Sequence, residues 1–118
     1  MSRRKAESKG RSAEVLAAWW LRLQGWRILA RRQRLGVGEV DIIARRGRTV
    51  AFVEVKWRNH PALLRQAVDV RRLHRVVAAA QGLAHRFAGP QDDLRVDVIL
   101  IAPWRLPRRI TNVWQPDA

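Results

Sequence analysis

The sequence predicts one α/β domain whose elements run helix, strand, strand, strand, helix, strand, with a further short strand at the end. Three observations carry that prediction. Residues 38–58, GEVDIIARRGRTVAFVEVKWR, read as two apolar strands joined by a tight turn. Before and after them lie stretches in which apolar residues recur at helical spacing. The chain has 118 residues and 47% apolar content, enough for one core and one domain.

Taken in order, residues 1–11 are polar and basic and are expected to form a flexible arm that folds onto a phosphate backbone, leaving 12–118 as the domain proper. Ser12 is a candidate N-cap for a helix to about Gln24, with Val15, Leu16, Trp19, Trp20 and Leu23 as its apolar positions and Gly25 as its stop. Trp26 to Arg34 reads as a strand with Arg-rich exposed positions, and Gly36 and Gly38 mark the turn into the central pair. Pro61 suits a turn or a helix start. Leu63, Ala67, Val70, Leu73, Val77, Ala80 and Ala84 then form one stripe of a long helix, which Gly82 weakens in its second half and Gly89-Pro90 ends. Leu94 to Ala102 is another strand, and Arg108 to Trp114 a short edge strand.

The central pair holds charges where strands want apolar residues. Side chains alternate along a strand, so Glu39, Asp41 and Ile43 share one face while Val40, Ile42 and Ala44 share the other. In the second strand Phe52, Glu54, Lys56 and Arg58 lie opposite Ala51, Val53, Val55 and Trp57. A hairpin at Arg46-Gly47-Arg48 makes the two acidic faces one, so three carboxylates and an ammonium converge. Two carboxylates about 5 Å apart repel by roughly 3 kcal/mol at an effective dielectric of about 20. A hard cation such as Mg2+ relieves that repulsion; pairing with Arg side chains is the structural alternative. Lys56 weighs toward chemistry. Of 24 Lys plus Arg, the lysines are Lys5, Lys9 and Lys56, and Lys56 alone interrupts an apolar run. A compact ammonium there can hold a small nucleophile, whereas a strand-end lysine can also simply snorkel.

The formal net charge is +14, which points to a polyanionic partner, nucleic acid first. Ten cations against Glu7 and Glu14 give residues 1–35 a net +8, while residues 36–60 carry five cations and three acids. A basic surface thus surrounds an acidic centre, an arrangement suited to a metal-dependent nuclease more than to a pure binding module. The absence of cysteine excludes disulfides and thiolate metal sites. Ser2-Arg3-Arg4-Lys5 has only a loose likeness to a twin-arginine start, and no run reaches the roughly 20 apolar residues of a membrane span, so a cytoplasmic location is expected. Trp19, Trp20, Trp26 and Trp57 are read as core residues rather than base-stacking platforms. His60 is a candidate phosphate contact.

An acid on the second strand followed by Glu-x-Lys on the third, in this element order, resembles the PD-(D/E)XK nuclease superfamily with its restriction-endonuclease-like fold. More closely, the chain resembles the YraN family of predicted bacterial endonucleases, related to archaeal-type Holliday-junction resolvases. The likeness runs from about Gly10 to Trp114 and is most specific in residues 38–44 and in Phe52-Val53-Glu54-Val55-Lys56 followed by Arg58. Val40 stands where the superfamily name has Pro, and Trp57 and residues 59–64 depart from the familiar pattern near the expected cleft.

The resemblance implies a mixed central sheet of four to five strands flanked by helices, and hydrolysis of phosphodiester bonds in DNA, including branched DNA. Asp41 and Glu54 would hold Mg2+ or Mn2+ with the Val55 carbonyl, Lys56 would orient the attacking water, and Glu14 would reach the site from the first helix. Glu14 is equally explained by the helix dipole. Arg11, Arg34, Arg58 and His60 are candidate nucleic-acid contacts, and Glu39 and Gln66 candidate accessories. Two coordinated cuts in a junction would favour a homodimer. The competing readings are a basic module that keeps the nuclease fold without turnover and an assembly protein that uses its sheet edge.

Overall fold

The two apolar strands form the centre of a five-stranded sheet. The computed structural model of the chain describes residues 3–58 and 70–114, with side chains for 10–58 and 71–111. Its elements are α1 (Arg3–Leu23), β1 (Arg27–Leu35), β2 (Gly38–Arg46), β3 (Thr49–Trp57), α2 (Val70–Phe87), β4 (Asp93–Ile101) and β5 (Arg108–Trp114). The strands lie in the sheet in chain order, β1-β2-β3-β4-β5. Gly47 takes a φ of 60° at the first position of the β2–β3 turn, the left-handed conformation glycine adopts without cost, and Arg46 then pairs with Thr49. β3 and β4 pair in parallel, so the chain must cross over between them, and α2 lies in that crossover. The other pairs are antiparallel. This mixed sheet with two helices is consistent with the restriction-endonuclease-like core that the resemblance implies.

Each helix covers one face. Under α1, Ala13, Ala17, Ala18 and Leu21 pack on Trp26, Ile42, Ala44, Ala51, Val53, Ile99 and Ile101. Under α2, Val76, Val77, Ala79, Ala80 and Leu83 pack on Val40, Ile43, Val50, Phe52 and Val96. The expected apolar stripe of α2 holds for Leu73, Val77, Ala80 and Ala84; Leu63, Ala67 and the side chain of Val70 lie outside the described residues. Gly82 does not interrupt the helix. It lets α2 pass Leu35, whose Cδ1 a Cβ at that position would meet.

Two expectations about α1 are corrected. The helix begins at Arg3, well ahead of Ser12, so Ser12 is an interior residue rather than a cap. The buried face also differs: Trp19 is 58% and Leu23 79% exposed, with Val15 and Leu16 also at the surface. The alanines at 13, 17 and 18 let the helix backbone come close to the sheet, and that turns the bulkier apolar face outward. The stop at Gly25 is as expected. Gly25 has a φ of 90°, its N–H donates to the carbonyl of Arg22 at 3.0 Å, and the Trp26 N–H donates to that of Leu21 at 3.0 Å. These two bonds form a Schellman ending, with Trp26 packed in the same cluster as Leu21.

Gly38 fixes where α2 sits. A Cβ there would collide with the backbone carbonyl oxygen of Arg75 and lie 2.9 Å from its carbonyl carbon. Gly38→Ala is therefore expected to cost about 1–3 kcal/mol, as overpacking against backbone does. A urea midpoint equal to that of the parent chain would show that α2 does not press on β2. No helix among the described residues is long and apolar enough to cross a membrane.

Candidate active site at a fork between two strands

The pairing of β2 with β3 runs from Arg46↔Thr49 to Ile42↔Val53 and stops there. Beyond that point β2 stays with β1 down to Leu35↔Gly38, and β3 stays with β4 up to Trp57↔Ile101. The two strands part, and the sheet forks. A continued ladder would set Val40 against Val55. Instead the Val55 N–H donates to Oδ2 of Asp41 at 2.7 Å, so a carboxylate takes the place of a backbone acceptor. Strand alternation breaks here too. Val40 joins the cluster under α2, while Ile42 and Ala44 lie under α1, correcting the expectation that the three share a face. The N–H and C=O of one strand residue point to the same side, so the Val55 carbonyl also faces the fork.

Glu54 and Lys56 follow Phe52 along the α2 face of β3. They are 7% and 3% exposed, and Lys56 Nζ lies 2.8 Å from Oε1 of Glu54. Apart from that contact the buried ammonium has no hydrogen-bond partner among the described residues. Arg72 of α2 brings its Nε to 3.5 Å from the same Glu54 oxygen. Burial pulls the Lys56 pKa below the ordinary lysine range, the contact with Glu54 opposes that shift, and Arg72 and Arg58 add to it. A cavity of about 140 Å³ opens here, lined by Glu39, Glu54, Arg72, Arg75 and Val76.

Among the described residues Asp41 is the carboxylate whose pKa is raised. Burial raises its pKa from 3.8 to about 6, the Val55 amide opposes that rise, and Glu14, Glu54 and Glu39 add to it. The folded pKa exceeds the unfolded one, so charged Asp41 lowers stability above pH 6, and the penalty fades as pH falls toward 3.8. In metal-free protein the stability advantage of Asp41→Asn is expected to shrink between pH 7 and pH 4, by up to about 3 kcal/mol. Paired urea titrations across that range check it, and a pH-independent difference would mean that Asp41 titrates normally.

Glu14 reaches this group from α1, held by Arg32 through Nε to Oε1 at 3.1 Å. Arg32 sits opposite Asp41 in the β1–β2 register, between Arg31↔Ile42 and Gln33↔Val40, and takes a φ of 52°. A non-glycine residue in the left-handed region carries backbone strain, of a kind that gathers at functional sites. Sequence reasoning missed Arg32 and Arg72, because neither spacing nor residue type sets them apart among so many arginines. Glu39 is on the cavity rim with Arg34 Nε at 3.1 Å. Arg34 is thus engaged with an acid, and Arg11 is exposed on α1. Arg58 donates its backbone N–H to Ile101 at 3.0 Å and Nη1 to the Trp57 carbonyl at 2.8 Å. His60 and Gln66 lie outside the described residues. Among the described residues no three His, Cys, Asp or Glu side chains form a ready metal cage, so the three-carboxylate convergence becomes two central acids, Asp41 and Glu54, with Glu39 and Glu14 held at the rim by arginines.

The model of the family described as "Uncharacterised protein family UPF0102" matches residues 13–101, three quarters of the chain. The chain belongs to the UPF0102 family. A UPF0102 protein of Sphingopyxis alaskensis is 63% identical over 116 residues, 98% of this chain and 100% of the relative. One from Erythrobacter litoralis is 53% identical over the same shares. One from Rhizorhabdus wittichii is 55% identical over 97% of this chain and 98% of its own. The UPF0102 match takes in the whole fork, from Glu14 on α1 through Asp41, Glu54 and Lys56 to Arg72 on α2.

Proposed function

We propose that this UPF0102 protein is a metal-dependent nuclease of the PD-(D/E)XK type that hydrolyses phosphodiester bonds in DNA, with branched DNA among its substrates. The observation that carries the reading is the fork, where Asp41 replaces a ladder acceptor beside the buried Glu54–Lys56 pair. Two carboxylates and the Val55 carbonyl are a hard oxygen donor set suited to Mg2+ or Mn2+, which keep several waters of their own. Burial raises the Asp41 pKa and the nearby acids Glu14, Glu54 and Glu39 add to the rise, and a cation beside the carboxylate would offset both. When bound, the metal supplies Lewis-acid activation of water and phosphate.

The remaining work falls to the chain. Asp41 is held in place through Oδ2 by the Val55 amide, and its carboxylate would be a ligand of the cation. Lys56, buried and with Glu54 as its carboxylate partner, positions a water for in-line attack and offsets charge developing on the phosphate. Arg72 and Arg75 border the cavity and suit the entering phosphate. The test is a panel of labelled linear, flap and four-way DNAs incubated with Mg2+, Mn2+ or EDTA. Cleavage with either metal and none in EDTA is expected.

One observation favours a second reading. Oε1 of Glu54 already has Lys56 and Arg72 as counter-charges, so the acid is balanced without a metal, as in a basic nucleic-acid-binding module that keeps the fold without turnover. Both readings expect electrostatic binding. The slope of log K against log salt on duplex DNA should be about −0.9Z with Z of roughly 4–8. An affinity that does not change with salt would remove the phosphate-tracking surface from either account.

A further inference from the structure

A second concentration of charge lies on the α1 side of the sheet. Trp26, directly after the glycine that ends α1, is 3% exposed. Three guanidinium groups stand over its ring, Arg46 at 4.7 Å from the centroid and Arg95 and Arg109 each at 5.4 Å. They come from the end of β2, the start of β4 and β5, so the tertiary fold brings them together. Arg95 lies beside Ala51 and Asp97 beside Val53 in the parallel β3–β4 register, whereas Glu54 and Lys56 come later on β3 and face α2. The cluster is therefore separate from the fork, on the opposite face of the sheet.

Its charges and its hydrogen bonds are both out of balance. Among the described residues, the acid set against the three guanidinium groups is the fully buried Asp97, which accepts from Arg95 Nη2 at 2.9 Å. Among the described residues four buried side-chain nitrogens have no hydrogen-bond partner. One is Lys56 Nζ at the fork, and the other three, Trp26 Nε1, Arg95 Nε and Arg109 Nη1, all belong to this cluster. Burial lowers the Arg109 pKa, Asp97 opposes that shift, and Arg95 and Arg46 add to it. Cation–π attraction explains why guanidinium groups lie on an indole, but a ring face gives these N–H groups no acceptor. Water would satisfy the donors and leave the charge. An anion satisfies both.

The geometry points to an oxyanion site in which Trp26 Nε1, Arg95 and Arg109 receive a phosphate group, with exposed Arg46 at its solvent-facing side. The phosphate can be a free ion or part of a nucleic-acid backbone, since the recognition chemistry is the same. The site does not rest on the cleavage reading, because none of its residues touches the fork.

Inorganic phosphate is the probe, titrated against chloride at equal ionic strength in EDTA and followed through the indole N–H signals of the full chain. Trp26→Phe identifies the Trp26 signal. That signal is expected to move downfield and saturate, with phosphate also raising the Tm by mass action. Arg109→Gln should weaken the apparent affinity by about tenfold, as loss of a charge-assisted contact does. Arg46→Gln, at an exposed position, serves as the second variant and should weaken it less, while Arg86→Gln, exposed on α2 across the sheet, should respond like the parent. A short duplex without terminal phosphates separates the sources. If it moves the same signal in an Arg109-dependent manner, the site takes backbone phosphate, and if inorganic phosphate alone does so, it takes the free ion. No response beyond chloride to either probe, or an equal response in both Arg variants, would overturn the site. Failure of DNA cleavage would bear on the fork and leave this result unaffected.

Discussion

Single replacement of Asp41, Glu54 or Lys56 by Ala is expected to abolish metal-dependent cleavage, with a loss of at least ~10²-fold for each. The three should behave as a unit, so the triple variant should be little worse than any single one. DNA affinity in EDTA separates binding from chemistry. It should hold or rise for Asp41→Ala and Glu54→Ala, which remove negative charge beside the phosphate, and fall slightly for Lys56→Ala. Lys56→Arg is the sharper variant. It preserves the charge, but a planar guanidinium cannot occupy the place of an ammonium 2.8 Å from Glu54 with 3% exposure, so activity should still be lost. If the parent chain cuts no nucleic acid with any divalent cation, or if Lys56→Arg is fully active, the binding module becomes the better account.

The second large effect is on stability and is asymmetric. Glu54→Ala strands the buried Lys56 ammonium near Arg72 and Arg58 with its carboxylate partner gone, and should cost about 3–5 kcal/mol. Lys56→Met leaves Glu54 with Arg72 at 3.5 Å and fills the space with an apolar chain, so the cost should stay under about 1.5 kcal/mol. The pH dependence follows in sign. A lysine whose folded pKa lies below 10.5 makes the folded state bind fewer protons than the unfolded one between the two values, so stability rises with pH across that interval. Without Glu54 the folded pKa drops further, and Glu54→Ala should regain part of its loss at lower pH than the parent would gain. Urea midpoints from pH 6 to pH 10 measure both effects. Equal losses for the two variants would contradict the pairing described for Glu54. The activity comparison must therefore be made at a temperature where Glu54→Ala is still folded.

The central hairpin was legible in the sequence because alternation, a glycine turn and two apolar strands all gave the same answer. The faces of β3 came out as read, with Phe52, Glu54 and Lys56 on one side and Ala51, Val53 and Val55 on the other. The α1 face did not. That helix has two apolar sides, one of alanines and one of Val15, Leu16, Trp19 and Leu23, and hydropathy favours the larger residues. The sheet selected the smaller ones because they allow closer approach, a decision that exists only once the partner surface does. The fork was half legible. An acid on the strand next to Glu-x-Lys signalled chemistry, but alternation cannot foresee that β2 leaves β3 at Asp41 and carries Val40 to the other face. Arg32, Arg72 and the arginines on Trp26 depend on tertiary placement, and in an arginine-rich chain no local signal distinguishes them.

Because every strand lies beside its neighbour in the chain, the fork has a bearing on the order in which the molecule assembles. Asp41 and Val55 are 14 residues apart and belong to one hairpin, so their contact needs little loop closure. The contact of Glu54 with Arg72 needs α2, which reaches the sheet in the crossover to β4. The hairpin can set its carboxylate in place first, and the arginines that balance the remaining acid come with the helix. Until that docking, Glu54 lacks the cover that α2 gives it. A folding intermediate arrested there would carry Asp41 and Glu54 without the wall that Arg72, Arg75 and Val76 give the cavity.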